Sequence, residues 1–97
     1  MTGERRMTDT EIEKLRRLCE HATPTPWQAM VEGRDHTSGG SFIMIGRDAN
    51  RDEDMYVSRE SGPASSDDLD FIAAARNYSP LLLEEIVDLR SRGEAST

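Results

Sequence analysis

The spacing of apolar residues changes period twice along the chain. In the first third, Ile12, Leu15, Leu18, Cys19 and Ala22 fall within an arc of about 120° at 100° per residue. Glu13, Lys14, Arg16, Arg17 and Glu20 lie outside that arc, which is the pattern of an amphipathic helix. Thr8-Asp-Thr-Glu11 marks its start as a capping box, with Met7 and Ile12 placed to form a hydrophobic staple. Thr23-Pro24-Thr25-Pro26 ends it, because proline cannot continue the hydrogen-bond ladder and holds the residue before it extended.

The period then shortens. Residues 27–31, 41–46 and 55–59 are short and partly β-branched or aromatic, and each predicts a strand. The loops between them, 32–40 and 47–54, are too short to hold a crossover helix, so the strands are expected to pair antiparallel as a three-stranded meander. Residues 60–64, with Gly62-Pro63, read as a linker. Ser65 or Ser66, followed by Asp67-Asp68, caps a second helix with acidic residues at the positive end of its dipole, and this helix runs to about Arg76. Asn77 suits a left-handed C-terminal position, Ser79 can cap, and Pro80 fits the first turn of a third helix that ends near Gly93.

The order predicts an α+β fold: a three-stranded antiparallel meander packed against an N-terminal helix and a C-terminal helix pair, with the first and third helices covering the sheet. Residues 1–7 read as a flexible lead-in, 8–93 as a single domain and 94–97 as a flexible tail. On the third helix Leu82, Ile86 and Leu89 form one stripe, Leu83 and Val87 a second beside it, and Leu81 lies nearly opposite. That apolar arc exceeds what one small sheet can cover, and large exposed apolar patches mark interfaces. Leu82, Leu83, Ile86, Val87 and Leu89 are therefore expected to carry self-association into a homo-oligomer.

Composition adds two restrictions. With 35% hydrophobic and 5% aromatic residues in 97, the core is small, and part of the stability is expected from a partner subunit. Twelve basic against nineteen acidic residues give a net charge of -7, which repels phosphate backbones and anionic bilayers, so neither nucleic acid nor a membrane is an expected partner. Cys19 is the only cysteine, so no intrachain disulfide forms, and no stretch approaches the roughly 20 apolar residues of a membrane span. The cytosol is the expected compartment.

Two groups of residues could hold a ligand. The loop Gly33-Arg-Asp-His-Thr-Ser-Gly-Gly-Ser41 combines glycines, whose backbone N–H groups can converge on an anion, with donors from Arg34, His36, Thr37, Ser38 and Ser41 beside Gly39 and Gly40. It lacks the lysine spacing of a P-loop and the dinucleotide fingerprint, and a flexible hairpin tip has the same composition. Arg76 follows Leu69, Ile72 and Ala73 on one helical stripe. Such an arginine either snorkels and pairs with a carboxylate, or, with Trp27 and Asn77, grips a ligand phosphate or carboxylate in a bidentate fashion.

Other chemistry is thinner. Asp48, Asn50, Asp52 and Asp54 imitate the start of a calcium loop, but its sixth position is Glu53 and its twelfth Arg59, so they read as a solvated turn. Cys19 and His21 stand two apart on a helix and do not face each other; Cys19 reads as a small core residue and His21 as a dipole partner. No metal, no cofactor and no catalytic residue is expected, and the chain reads as a non-enzyme.

The first helix, Ala22-Thr-Pro-Thr-Pro-Trp27, Phe71-Ile-Ala-Ala-Ala-Arg-Asn77 and the leucine-rich tail together resemble the Ead-like family of small phage and prophage accessory proteins, over about two thirds of the chain. Many relatives read Pro-Gly-Pro-Trp where this chain has Pro24-Thr25-Pro26-Trp27. The resemblance implies a dispensable gene of a temperate phage that adjusts the host, its defence systems included, from within the host cytosol. Two functions follow as expectations. In the first, the protein sequesters a small anionic, nucleotide-derived host signal through Trp27, the 33–41 loop and Arg76. In the second, it docks on a host protein through its leucine-rich last helix and blocks it by helix-in-groove packing.

Overall fold

The computed structural model describes residues 6–46 and 54–95 and is α+β. Its elements are α1 (Asp9–His21), β1 (Trp27–Met30), β2 (Phe42–Ile45), β3 (Ser58–Arg59), β4 (Gly62–Pro63) and α2 (Ser66–Ala95). They divide between two compact units, Met1–Ala22 with Ser79–Thr97, and Thr23–Tyr78. Residues 1–5 of the expected lead-in, 96–97 of the expected tail and 47–53 of the second loop lie outside the described residues.

In the first unit α1 starts as its sequence dictates. The Glu11 backbone N–H donates to the Thr8 hydroxyl (3.1 Å) and the Thr8 N–H to the Glu11 carboxylate (2.9 Å). Asp9 and Glu11 stand in the first turn, where the helix dipole favours negative charge. The helix stops at His21, with Ala22 extended and its N–H closing on the Leu18 carbonyl (3.0 Å). Ile12 is buried and Leu15 and Cys19 are half-buried, but Leu18, expected on the buried arc, is 57% exposed. From the C-terminal half of α2, Leu83 is buried and Arg90 donates to the Asp9 carboxylate (3.0 Å) and the Met7 carbonyl (2.7 Å).

In the second unit β1 and β2 pair antiparallel in the register Trp27↔Ile45, Gln28↔Met44, Ala29↔Ile43, Met30↔Phe42. The expected third strand does not form. Met55 alone joins β2, exchanging hydrogen bonds with Ile43 at 2.8 and 2.9 Å. The chain instead turns back on itself, pairing Ser58 with Pro63 and Arg59 with Gly62, and the Ala64 N–H donates to the Val57 carbonyl (2.9 Å). Two separate two-stranded sheets replace the meander. The reason lies in residues 55–59: inward apolar positions end at Val57, so Ser58 and Arg59 have no core face to lie on. Gly62-Pro63, read as a linker, supplies the return strand, and a proline without an N–H is tolerated on so short an edge.

Ala29, Ile43, Ile45, Ala64, Leu69 and Ala73 form the buried cluster of this unit, with Trp27, Met55, Val57 and Ile72 packed at its margin. Its helical side is thus Leu69, Ile72 and Ala73, the segment expected as the second helix, rather than the first and third helices.

The expected C-terminal helix pair is one helix. No non-glycine residue among those described has a positive φ, so Asn77 does not take the left-handed position, and Pro80 lies inside α2. Pro80 has no N–H to offer the Arg76 carbonyl, and Ser79-Pro80 fits a helix start equally well, which is why the local signal misleads. α2 continues to Ala95, two residues past the expected end.

Core and surface positions predict opposite responses to truncation. Leu69 is 1% exposed and Leu81 57%. Leu69→Ala should lower the unfolding free energy by about 2–5 kcal/mol, and Leu81→Ala should change it by no more than about 0.5 kcal/mol, both read from urea midpoints.

Candidate functional site

The two most distinctive sequence motifs meet in one place. Arg76 and Asn77 are consecutive on α2, so their side chains diverge by about 100°, and they reach the two ends of the Thr23–Trp27 turn. At one end the Thr23 carbonyl accepts from Arg76 Nε (3.2 Å), Arg76 Nη2 (3.1 Å) and the Trp27 indole Nε1 (3.1 Å). At the other, the Trp27 backbone N–H donates to Asn77 Oδ1 (2.9 Å) and Asn77 Nδ2 donates to the Trp27 carbonyl (2.7 Å). The Asn77 amide thus pairs with the Trp27 backbone as a neighbouring strand would. The Arg76 guanidinium also stands 5.7 Å from the centroid of the Trp27 ring, within cation–π range. Within the turn the Thr25–Pro26 peptide is cis, and the Pro26 carbonyl accepts from the Gly46 N–H (2.8 Å).

Of the two readings of Arg76 this geometry serves the structural one, with the Thr23 carbonyl as an acceptor. Trp27, Arg76 and Asn77 are brought together as expected, but their polar groups face one another. Sequence reasoning missed the Thr23 carbonyl, since a backbone acceptor leaves no mark on residue type.

The 33–41 loop is also held by its own chain. Arg34 forms a bidentate pair with Asp70 in the first turns of α2 (2.9 and 3.0 Å), and its Nε donates to Asp35 (3.0 Å). The hydrogen bonds from Arg34 hold the Asp70 carboxyl below the usual carboxylate value; a separate bond from Arg34 Nε, then the Val31 N–H, does so for Asp35. Arg34 in turn is held still more firmly protonated, by Asp70 first. The Glu32 carboxylate accepts from the Gly40 N–H (2.9 Å), and the Glu32 N–H donates to the Ser41 hydroxyl (3.0 Å). Gly39 and Gly40 both have positive φ, +103° and +82°, a consecutive pair that side-chain-bearing residues rarely adopt.

His36 is packed rather than presented. Its Nδ1 lies 2.8 Å from the Ser38 carbonyl, which can only accept, so Nδ1 carries the proton there, and its ring lies tilted against Phe42 at 5.4 Å between centroids, as Phe42 does against Tyr56 at 5.2 Å. Thr37, Ser38 and Gly39 are exposed. Two carboxylates, Asp35 and Asp70, hold Arg34 and balance its charge, so the local field disfavours an anion there. Asp70 was not legible as a site residue, because an aspartate near a helix start reads as a dipole partner.

In the other unit, residues 81–89 carry apolar surface. Leu81, Leu82, Val87 and Leu89 are 57%, 59%, 38% and 59% exposed, Ile86 is half-buried, and Leu83, expected at the interface, is buried at 4%. Asp48, Asn50 and Asp52 lie outside the described residues. Among the described residues no cluster of three His, Cys, Asp or Glu side chains could hold a metal ion, and no helix is long and apolar enough to cross a membrane. Compared with protein families, with curated proteins and with solved structures, the chain gives no match.

Two predictions follow from these contacts. Asn77→Asp keeps the acceptor for the Trp27 N–H but sets a carboxylate against the Trp27 carbonyl, and should lower stability by about 1–3 kcal/mol in equilibrium unfolding followed by Trp27 fluorescence. The second concerns pH. Folded Asp35 and Asp70 bind a proton less readily than in the unfolded chain, so the contribution of the Arg34 contacts is fully present above about pH 3.9 and is lost as pH falls through the depressed folded values. The difference in Tm between the natural chain and Asp70→Asn should hold constant from pH 7 to about pH 5 and close below about pH 4.

Proposed function

We propose that the protein is a non-enzymatic interaction protein that docks on a partner protein through the apolar surface of residues 81–89. The observation that carries this reading is the exposure of Leu82 and Leu89, on one stripe of α2 with the half-buried Ile86, an arrangement that fits helix-in-groove recognition. What weighs against sequestration of a small anion is the commitment of Arg34, Arg76, Asn77 and Trp27 to hydrogen bonds within the chain.

In the setting implied by the resemblance to phage accessory proteins, the partner is a host protein and the compartment the host cytosol. The net charge of -7 favours a partner with a basic rim around its groove. Binding alone is the mechanism: the docked helix occupies a surface the host protein needs.

The two functions separate in one experiment. A photo-crosslinking residue at position 82 should trap a protein other than the chain itself, and one at position 37, in the exposed loop, should trap none. Leu82→Ser/Leu89→Ser should abolish the complex while leaving the circular dichroism spectrum unchanged. Cyclic and ADP-ribose-type nucleotides should leave the melting temperature where it is. A ligand at 100 times its dissociation constant would add about 2.7 kcal/mol, and a rise of that size would overturn the docking reading in favour of sequestration.

A further inference from the structure

Leu18 of α1 is as exposed as Leu82 and Leu89 of α2, and the pairing of the two helices sets all three on one side. Within their unit the helices run antiparallel: Asp9 meets Arg90 at 3.0 Å, and Ile12, three residues on, shares a depression with Val87, three residues back. That depression fixes which sides adjoin. At 100° per residue from the buried Ile12, its α1 wall of Arg16, Asp9 and Glu13 spans about +40° to +100°. Counted from the buried Leu83, its α2 wall includes Val87 and Ser91 at about +40° and +80°.

The negative sides of both helices therefore line the opposite crevice. From α1 come Leu15 and Leu18 at about -60° and -120°, and from α2 Ile86, Leu82 and Leu89 at about -60°, -100° and -120°. Leu15 and Ile86 are half-buried, and the other three are exposed. Where the first crevice is walled largely by charge, this one is walled by leucine and isoleucine. Lys14 and Glu85 stand on its two rims, each at about -160°. Counting inward from Asp9 and Arg90 brings them level with each other. Neither pairs with another described residue, whereas Glu11, near the end of the α1 wall, is held by the Thr8 N–H and Arg92 by Asp88.

We infer that this crevice receives an amphipathic helix of the partner protein, packed against α1 and α2 together, with a cation over Glu85 and a carboxylate over Lys14. The walls are side chains of two helices and offer no free backbone groups. An extended segment would bury unpaired amides against them, whereas a helix satisfies its own and fits its ridges between theirs. The opposite charges of the two rims match a helix whose apolar stripe has one basic and one acidic edge. This inference rests on the docking reading and adds α1 to its surface, so that the leucines of α2 form one wall of the site.

The probe is a fluorescein-labelled helical peptide of about three heptads, with a leucine stripe, lysines along one edge and glutamates along the other. Its anisotropy should rise on titration with the full chain. Leu18→Ser and Leu82→Ser should each weaken binding about tenfold or more with an unchanged circular dichroism spectrum, and Val87→Ser, in the other crevice, should leave it unchanged. A peptide with glutamate on both edges should bind the natural chain about threefold more weakly and regain that loss on Glu85→Lys. Absence of binding by the first peptide, or equal binding to Leu18→Ser, overturns the inference. So does a dimer of the natural chain in sedimentation equilibrium that Leu18→Ser dissociates, since a second copy then fills the crevice. If a crosslinker at position 82 still traps a host protein in the Leu18→Ser variant, the docking reading stands and the two-helix crevice falls.

Discussion

The proline-rich entry to β1 is held by the pairing of one side-chain amide with one backbone position, Asn77 with Trp27. A turn with two prolines cannot satisfy its polar groups by regular pairing, since prolines bring no N–H, and an unpaired buried carbonyl or N–H is expensive. Asn77 supplies both a donor and an acceptor to Trp27, and Arg76 supplies two donors to Thr23. With the turn fixed at both ends, the chain enters β1 in the register that sets Ala29 opposite Ile43, and with them the buried cluster around Leu69. A single carboxamide thus joins an irregular segment to a helix 50 residues later in sequence.

That arrangement redirects the functional reading. Arginine and tryptophan near glycine- and hydroxyl-rich segments are the residue types of anion recognition, yet here they complete the fold. The same holds for Arg34, whose guanidinium is balanced by Asp70 and Asp35. Leu81, Leu82, Val87 and Leu89 on α2 are instead apolar and exposed.

Much of this was legible in the sequence where the signal is local. The Thr8–Glu11 box starts α1, the proline run ends it, and the strands of the first sheet fall where β-branched and aromatic residues cluster, because caps, breakers and period are written in neighbouring residues. The failures share a cause. Pro80 and Asn77 are as compatible with a break as with a continuous helix, and within the continuous helix Asn77 pairs with the Trp27 backbone. The turn at residues 60–61 and the loss of the third strand depend on where the inward apolar positions run out, at Val57, rather than on strand propensity. Arg34 and Arg76 were visible as candidates, whereas their partners were not, since neither a carbonyl at Thr23 nor a carboxylate at Asp70, 36 residues from Arg34, announces itself by type or spacing.

The central claim, that Asn77 and Arg76 hold the proline-rich turn, is tested most directly by amide hydrogen exchange at Trp27. The backbone N–H is held by Asn77 Oδ1 and the indole N–H by the Thr23 carbonyl. Both should then exchange slowly, in step with the amides of Ile43 and Leu69 and with a free energy close to that of unfolding the unit. Exchange of both protons at rates near those of the exposed Thr37 to Gly39 amides, with Ile43 still protected, would show the turn unfastened and would contradict the account.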